Sequence, residues 1–342
     1  MKRLAFRVDG NPAMGSGHLV RCLALGKAFA ALDWVAEFIV SPSSAEFCRS
    51  LNLGEWSLHV LQNSNFPDQV REIDALKHSQ DYRILVVDGY HFDEGYRRSL
   101  QELGWVVVAI DDNAEGNQLY ADVILNPSTT AAGTLDYSAQ PNTPEVLAGN
   151  KYRLLRREFV QQDEIPFEER SGIVVIMGGS DPKQMSGPII QALEGMSNEL
   201  GEEPVCCVIG PGVRDKETLK KQVSKAPVHF TYQEQPSNLA GLFAKSRFVI
   251  SSAGSTQFEL LALRVPSLLL IGFENQRNSV EAEAQGWAVV QDVRSGFCEA
   301  SFCEAVRGAF TPQTLREMHR QTPAIRIDGS MNAARSILNR LA

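Results

Sequence analysis

The chain has 342 residues, of which 44% are hydrophobic, and carries a formal net charge of −8 at pH 7. This length suits two domains of ordinary size, and the apolar content is that of a globular protein. Because no basic block interrupts the acidic balance, we expect no nucleic-acid partner. No apolar run is long enough to cross a bilayer and the first residues lack the apolar core of a signal peptide, so we expect a cytoplasmic protein without membrane insertion.

The cysteines are scattered, and none forms a C-x-x-C pair. They are Cys22, Cys48, Cys206, Cys207, Cys298 and Cys303. In a cytoplasmic protein such cysteines are free thiols. No Cys or His spacing resembles a zinc site, so we expect no metal.

Apolar runs alternate with helical patterns along the first half of the chain. The predicted strands are Leu4–Val8, Val35–Val40, Ile84–Val87, Val106–Ile110 and Val123–Leu125. The helical patterns between them include Val20–Leu32 and Asp93–Leu103. The strands are continuously apolar rather than alternating, which is typical of a parallel sheet covered by helices on both faces.

The alternation restarts after a loop-like stretch at 126–144 and a polar segment at 161–170. The predicted strands of the second half are Ile173–Met177, Val205–Ile209, Val228–Thr231, Phe248–Ile250, Ser267–Ile271 and Ala288–Val290. The chain therefore reads as two doubly wound, Rossmann-like αβ domains, 1–150 and 151–342. In two-lobed folds a final helix commonly crosses back onto the first lobe. The helical pattern Met331–Leu341 would be that helix, but the sequence itself does not show the crossing.

Two glycine-rich turns follow predicted strands, one in each half. Gly15-Ser16-Gly17-His18 comes after Leu4–Val8, and Met177-Gly178-Gly179-Ser180-Asp181 ends the first strand of the second half. Open α/β sheets bind their ligands at the carboxyl ends of their strands. We therefore expect two domains facing a central cleft, with chemistry on the first and an anion held by the second.

The second half offers two candidate phosphate turns. At Gly178, Gly179 and Ser180 the backbone can approach a phosphate closely. The alternative interpretation is a tight turn in which Asp181, just before Pro182, caps a helix. The small residues Ser252, Ala253, Gly254 and Ser255 precede the helical pattern Gln257–Leu263 and expose its amides. Glu259 either accepts hydrogen bonds from a ribose diol or is a favourable acid in the first helical turn.

These motifs carry a family resemblance. The two turns, together with Phe258–Leu263 and Glu274-Asn275-Gln276, resemble the nucleotide lobe of GT-B proteins that bind UDP-sugars. The first-half motifs 6–9, 14–18, 21–25, 87–90, 110–112, 122–126 and 149–159 resemble the PseG family. These are UDP-2,4-diacetamido-2,4,6-trideoxy-β-L-altropyranose hydrolases of pseudaminic acid biosynthesis. The resemblance extends from residue 1 to about 295.

The resemblance implies an inverting hydrolase that needs no metal or cofactor. In that family water attacks the anomeric carbon and UDP leaves, and the family's catalytic histidine falls on His18. An imidazole is suited to taking a proton from water near neutral pH. Asp9 either orients that imidazole or bonds the sugar, a choice that the sequence leaves open. The other expected substrate contacts are Gly17, Tyr90 and Asn126 in the first half and Asn275 and Gln276 in the second.

Two other functions are compatible with the same motifs. A GT-B glycosyltransferase would use the same nucleotide lobe, but residues 1–140 lack the apolar and basic cluster of a membrane-associated acceptor site. A non-catalytic UDP-sugar-binding module would not depend on His18. The sequence leaves open the stereochemistry of the sugar, the oligomeric state, the role of the segment beyond 295, and whether flagellin, lipopolysaccharide or capsule receives the product.

Overall fold

The computed structural model describes residues 2–50, 56–112, 118–128, 136–227, 229–323 and 327–340. The chain divides into two compact units. The first comprises Met1–Asn11, His18–Arg157 and Ile327–Ala342; the second comprises Pro12–Gly17 and Glu158–Arg326. Residues 151–157 and the last segment of the chain thus group with the first unit rather than with the second half of the sequence.

The first unit is built on a parallel sheet. Within its described residues the seven strands are β1 (Lys2–Val8), β2 (Trp34–Val40), β3 (Ser57–Val60), β4 (Tyr82–Asp88), β5 (Val106–Ile110), β6 (Val123–Asn126) and β7 (Glu145–Ala148). Their order is β3-β2-β1-β4-β5-β6-β7, and every pairing is parallel. The helices are Gly17–Ala30, Pro42–Ser50, Phe66–Gln80, Glu94–Glu102 and Gly329–Arg340, with a 3₁₀ turn at Asn150–Tyr152.

Two hydrophobic clusters cover this sheet, one on each face. Along β1, Phe6 lies in the cluster that holds Phe29 and Phe38, whereas Ala5 lies in the cluster that holds Leu85 and Val107. Because both faces are apolar, the central strands are continuous hydrophobic runs, as the sequence predicts.

β3 and β7 were not predicted from the sequence, and they lie at the two edges of the sheet. Neither strand is fully buried: the residues of β3 are half-buried or exposed, and Val146 in β7 is 40% exposed. An edge strand pairs with a neighbour along one side only, and its side chains are less well covered. Its sequence therefore need not be a continuous hydrophobic run.

The second unit repeats the architecture. In the described residues its six strands are β8 (Ile173–Ile176), β9 (Val205–Ile209), β10 (Phe230–Glu234), β11 (Phe248–Ser252), β12 (Ser267–Ile271) and β13 (Ala288–Asp292). They are parallel in the order β10-β9-β8-β11-β12-β13. The helices are Arg157–Gln161, Ser186–Gly195, Ser197–Leu200, Lys216–Lys225, Leu239–Lys245, Thr256–Ala262, Val280–Ala284, Glu299–Ala309 and Pro312–Gln321, with 3₁₀ turns at Phe167–Glu169 and Glu274–Ser279. Val228, where one predicted strand starts, lies outside the described residues.

The last helix, Gly329–Arg340, belongs to the first unit because it packs on residues 151–155. Ser330 Oγ donates to the carbonyl of Leu155 at 3.1 Å, and Asn332 Nδ2 donates to that of Lys151 at 3.0 Å. A Cβ at Gly329 would overlap the backbone of Arg153, so this crossing requires glycine.

The six cysteines are free thiols, as predicted. In the described part of the chain, no helix is both long and apolar enough to span a membrane. In that same part, no group of three or more His, Cys, Asp and Glu side chains is arranged to hold a metal ion.

Candidate active site and nucleotide-binding turns

In the first unit, polar side chains gather where β4 and β5 end. Asp88 is the last residue of β4, Asp112 follows β5 by two residues, and His18 lies in the first turn of the helix Gly17–Ala30. Parallel strands bring their carboxyl ends to one edge of the sheet, so residues distant in sequence meet there. His18, Asp88 and Asp112 thus belong to one cluster, joined by Arg21.

His18 is bonded to Asp88. Its Nδ1 lies 2.8 Å from Asp88 Oδ1, and the Asp88 side chain is fully buried while that of His18 is 12% exposed. Burial by itself raises the pKa of Asp88, but the charge of Arg21 and the hydrogen bonds from Arg21 and His18 hold that pKa well below its usual value. An ionised carboxylate can only accept, so Nδ1 carries the proton and Nε2 is left as the basic nitrogen.

Arg21 supplies the positive charge that a buried carboxylate requires. Its Nε donates to Asp88 Oδ2 at 2.7 Å and its Nη2 donates to Oδ1 at 2.6 Å, a two-point contact that matches the planar guanidinium. The thiol of Cys22 also donates to Oδ2, at 3.4 Å. All acceptor positions of Asp88 that face the protein are therefore used, which fixes the carboxylate and with it the ring of His18.

Tyr90 contacts both His18 and Asp112. The hydroxyl of Tyr90 donates to Asp112 Oδ2 at 2.6 Å, and its ring meets that of His18 edge-on, with centroids 4.9 Å apart. Tyr90 is 54% exposed. The structure thus brings the predicted residues His18 and Tyr90 together.

Asp9 does not take the orienting role. Its carboxylate accepts from Arg7 Nη2 at 2.8 Å and from the amide of Ser41 at 2.7 Å, and it is bonded to His91 Nε2 at 3.1 Å. Burial by itself raises the pKa of Asp9, but His91 and Arg7 together hold it far below its usual value. Of the two roles that the sequence left open, orienting the imidazole falls to Asp88, because the oxygens of Asp9 are already occupied.

Asn126 lies at the end of β6. The residue is fully buried, its Nδ2 donates to Tyr137 Oη at 2.6 Å, and its Oδ1 accepts from the amide of Ser128 at 3.0 Å. Both ends of the Asn126 amide are thus bonded within the first unit, by Tyr137 and by Ser128, and its contact with the substrate stays a prediction.

The turn after β8 in the second unit depends on glycine at three places. Gly178 has φ +73°, in the left-handed region. A Cβ at Gly179 would overlap the side chain of Ser16, and one at Gly210 would lie 2.5 Å from the carbonyl oxygen of Gly179. Ser16 belongs to the segment Pro12–Gly17, which groups with this unit. Gly17 lies in the same segment, and a Cβ added there would be 3.8 Å from Ser255 Oγ.

Asp181 and Ser180 differ sharply in their contacts. The carboxylate of Asp181 accepts from the amides of Met185 at 2.8 Å and Ser186 at 2.9 Å, so it serves the start of the helix Ser186–Gly195, as the simpler reading of the sequence held. Ser180 is 2% exposed, and its buried hydroxyl has no hydrogen-bond partner in the described structure. Buried hydroxyls are normally satisfied, so Ser180 is the side chain of this turn with unused bonding capacity.

Gln276 holds the backbone that follows β12, next to the second predicted phosphate turn at 252–255. Its Oε1 accepts from the amides of Gly272 at 2.8 Å and Phe273 at 3.2 Å, and its Nε2 lies 3.7 Å from the Cβ position of Gly254. Asn275 is exposed on the same 3₁₀ turn. Gln276 therefore shapes the backbone, while Asn275 is accessible.

The remaining predicted residues of this turn differ in burial. Ser252 is half-buried and Ser255 is exposed, whereas Ala253 and Glu259 are 1% and 5% exposed. The carbonyl of Ala253 accepts from Gln257 Nε2 at 3.0 Å, which holds the turn against the helix Thr256–Ala262. The surface that a ligand could reach is thus provided by the two serines and Gly254.

The roles of Asp88, Arg21 and Asp112 were not predicted from the sequence. All three lie within the motifs that carry the family resemblance, and Arg21 stands three residues after His18, which places both on one face of a helix. That spacing is the signal that could have identified Arg21. The bond between Asp88 and His18 joins residues 70 positions apart and depends on which strands are neighbours.

Comparison with solved structures defines the class of fold. The chain matches MurG of Acinetobacter baumannii with a TM-score of 0.66 over 99% of this chain and 100% of that one, at 15% identity. It matches UDP-bound MnaA of Staphylococcus aureus with a TM-score of 0.67 over 100% and 96% of the two chains, at 12% identity. The protein therefore has the two-domain GT-B fold, as predicted.

Comparison of sequences narrows the assignment. The chain is 24% identical to the UDP-2,4-diacetamido-2,4,6-trideoxy-β-L-altropyranose hydrolase of Campylobacter jejuni, over 81% of this chain and 94% of that protein. It is also 24% identical to the spore coat polysaccharide biosynthesis protein SpsG of Bacillus subtilis, over 82% and 81%. No protein-family model matches the chain. Together with the GT-B fold, these relatives support a PseG-like family.

A further relative is longer than this chain. An uncharacterized protein of Methanocaldococcus jannaschii is 24% identical over 80% of this chain, but the matched region spans only 57% of that protein.

Proposed function

We propose that the protein hydrolyses a UDP-linked 2,4-diacetamido-2,4,6-trideoxy sugar to the free sugar and UDP, as a step in pseudaminic acid biosynthesis. The proposal assigns the sugar and the attacking water to the first unit and the nucleotide to the turns of the second. The relative from Campylobacter jejuni, whose name states this reaction, supports the choice of substrate.

The observation that carries the proposal is the bond between His18 Nδ1 and Asp88 Oδ1, 2.8 Å long. In the neutral ring this bond places the lone pair on Nε2, and the side chain is 12% exposed. A general base needs a fixed orientation and an available lone pair, and this arrangement provides both.

In the proposed reaction Nε2 takes a proton from water as the water oxygen bonds to the anomeric carbon. The bond between that carbon and the diphosphate oxygen breaks, and its electron pair leaves with UDP. Because the water attacks opposite the leaving group, the anomeric configuration inverts. The proton resides on His18 until it returns to solvent, and Asp88 stabilises the imidazolium.

The leaving diphosphate needs hydrogen-bond donors. Such donors are supplied without a metal by the backbone amides of the half-buried glycines 178 and 179, the unused hydroxyl of Ser180 and the serines 252 and 255. Glu259 and Asn275 remain predicted contacts for the ribose and the sugar, and Tyr90 for an acetamido group.

The experiment is incubation of the protein with the UDP-diacetamido sugar in water, without an acceptor. We expect UDP and free sugar in equal amounts, with inversion seen by proton NMR at the first turnover and ¹⁸O from labelled water on the sugar. His18→Ala should lower kcat by about 100-fold or more, the contribution of a general base, while the affinity for UDP measured by calorimetry stays unchanged. A chelator should not change the rate.

Three outcomes would contradict the proposal. UDP release only after an acceptor is added would identify a transferase. A sugar that changes configuration but stays linked to UDP would identify an epimerase. Binding without turnover, unaffected by His18→Ala, would identify a binding module.

The transferase is the second candidate, because the solved structures similar to this chain include the rhamnosyltransferase SpnG, with a TM-score of 0.66. Product analysis with and without candidate acceptors separates it from the hydrolase.

A further inference from the structure

Five side chains of the first unit form a closed ring of contacts around the candidate base. His18 is bonded to Asp88, Asp88 to Arg21, Arg21 to Asp112, and Asp112 to Tyr90, whose ring returns to His18. Arg21 carries a permanent positive charge and bonds to both carboxylates. The described contacts divide into two arms that meet at the guanidinium. One arm runs from Arg21 through Asp88 to His18, and the other runs from Arg21 through Asp112 to Tyr90.

We infer that Arg21 is a positioning residue that acts on His18 through Asp88 and on Tyr90 through Asp112. This inference rests on the proposed function, because it explains how the proposed base is held ready. Arg21 itself takes no part in proton transfer, since a guanidinium stays protonated in proteins.

The arm to His18 is electrostatic. Asp88 is fully buried, and a buried carboxylate without a cation takes up a proton instead of staying charged. Arg21 Nη2 also lies 3.2 Å from His18 Nδ1. If residue 88 carried no charge, the nearest strong donor to Nδ1 would be Arg21, so Nδ1 would accept and the ring proton would move to Nε2. The ion pair thus decides which nitrogen is the base.

The arm to Tyr90 is geometric. Arg21 Nη1 donates to both oxygens of Asp112, at 2.7 and 3.0 Å, and Asp112 Oδ2 accepts from Tyr90 at 2.6 Å. Tyr90 follows β4 by two residues and is 54% exposed, and the bond to Asp112 restrains its ring. Its edge-on contact limits the rotation of the imidazole.

Only arginine fits both arms. Its planar fork presents separate N–H groups to two carboxylates at once, whereas the ammonium of lysine is a point charge on a flexible stem. Arg21→Lys therefore keeps the positive charge but loses the simultaneous contacts with Asp88 and Asp112. This variant tests whether those contacts, rather than the charge alone, are needed.

The experiment compares three variants with wild type: Arg21→Lys, Asp88→Asn and Asp112→Asn. For turnover we expect Arg21→Lys and Asp88→Asn to lower kcat by at least about 10-fold, a part of the ~10²–10⁴-fold contribution of a general base. Asp112→Asn should have a smaller effect on kcat. KM and the affinity for UDP should change by less than about 2-fold in all three. Because both arms meet at Arg21, Asp112→Asn should add little in the Arg21→Lys background.

A second readout does not depend on turnover. In protein labelled with ¹⁵N-histidine, the shifts of the ring nitrogens report which one carries the proton. We expect the Nδ1–H form of His18 in wild type and in Asp112→Asn, the Nε2–H form in Asp88→Asn, and a mixture in Arg21→Lys.

Glu37→Gln provides the matched control. Glu37 is a buried carboxylate of the same unit, bonded to His59 Nε2 at 3.0 Å, and it takes no part in the ring of contacts. We expect this variant to match wild type in kcat and in the His18 spectrum, whatever it does to the melting temperature.

The outcomes separate the two proposals. Wild-type kcat in Arg21→Lys, or an Nδ1–H form of His18 retained in Asp88→Asn, would overturn the positioning role while leaving the hydrolase intact. If wild type releases no UDP, the proposed function fails, and the nitrogen shifts alone decide whether Arg21 and Asp88 set the tautomer.

Discussion

Replacement of Asp181 by alanine tests whether that residue supports the fold or binds a ligand. The sequence allowed both roles, and the structure places its two oxygens 2.8 and 2.9 Å from the amides of Met185 and Ser186. Asp181 is 4% exposed, so water cannot readily replace the lost acceptor. We therefore expect Asp181→Ala to destabilise the second unit.

The magnitude follows from the two bonds. A lost helix cap costs about 0.5–2 kcal/mol, and each buried amide left without a partner costs about 1–3 kcal/mol. The two estimates overlap because the amides are those of the helix start, so the expected loss is about 2–5 kcal/mol. For a unit of this size each kcal/mol shifts the melting temperature by about 2–4 °C, which predicts a decrease of roughly 4–20 °C.

The assay is calorimetric unfolding at pH 7, followed by titration with UDP below the transition. Asp181→Asn keeps one acceptor oxygen and should show a smaller decrease. The matched control is Asp215→Ala, which removes an exposed cap whose single bond to Thr218 is 3.3 Å long and should cost less than about 1 kcal/mol.

Two results would refute this reasoning. One is an Asp181→Ala variant as stable as wild type. The other is an Asp181→Asn variant that keeps its stability but loses UDP binding, which would make the residue a ligand contact.

Two further predictions concern glycine and acid stability. Gly210→Ala should destabilise the second unit by about 1–3 kcal/mol, the usual cost of overpacking, because the new Cβ would meet the backbone of Gly179. The measurement is the melting temperature. Gly195→Ala is the control, because a Cβ there meets nothing within 4 Å. Asp88 has a lowered pKa in the folded protein, so it stabilises the fold above the ordinary carboxyl pKa of about 3.9, and that stability is lost as the pH falls further. Asp88→Asn should therefore be less stable than wild type near pH 7, with a gap in urea midpoints that narrows below about pH 4; a gap independent of pH would contradict this.

Much of the fold follows from local patterns. The central strands β5, β9 and β12 begin and end where the sequence predicted, because a strand buried on both faces is an uninterrupted apolar run. The edge strands β3 and β7 were missed because only one side of an edge strand is paired and its residues need not be apolar. The assignment of the helix Gly329–Arg340 to the first unit depends on its packing against residues 151–155, which no local pattern encodes.

The candidate site likewise combines features set by local sequence with features set by tertiary packing. The sequence by itself determined that His18 ends a glycine-rich turn and that glycines occupy 178 and 179, since turn chemistry is local. Only the tertiary structure decided that Asp88 rather than Asp9 orients the ring, that Asn126 is buried, and that Arg21 joins two carboxylates. These facts depend on β1 lying beside β4 and β4 beside β5, and strand neighbours are chosen by the packing of the whole sheet rather than by any segment of the chain.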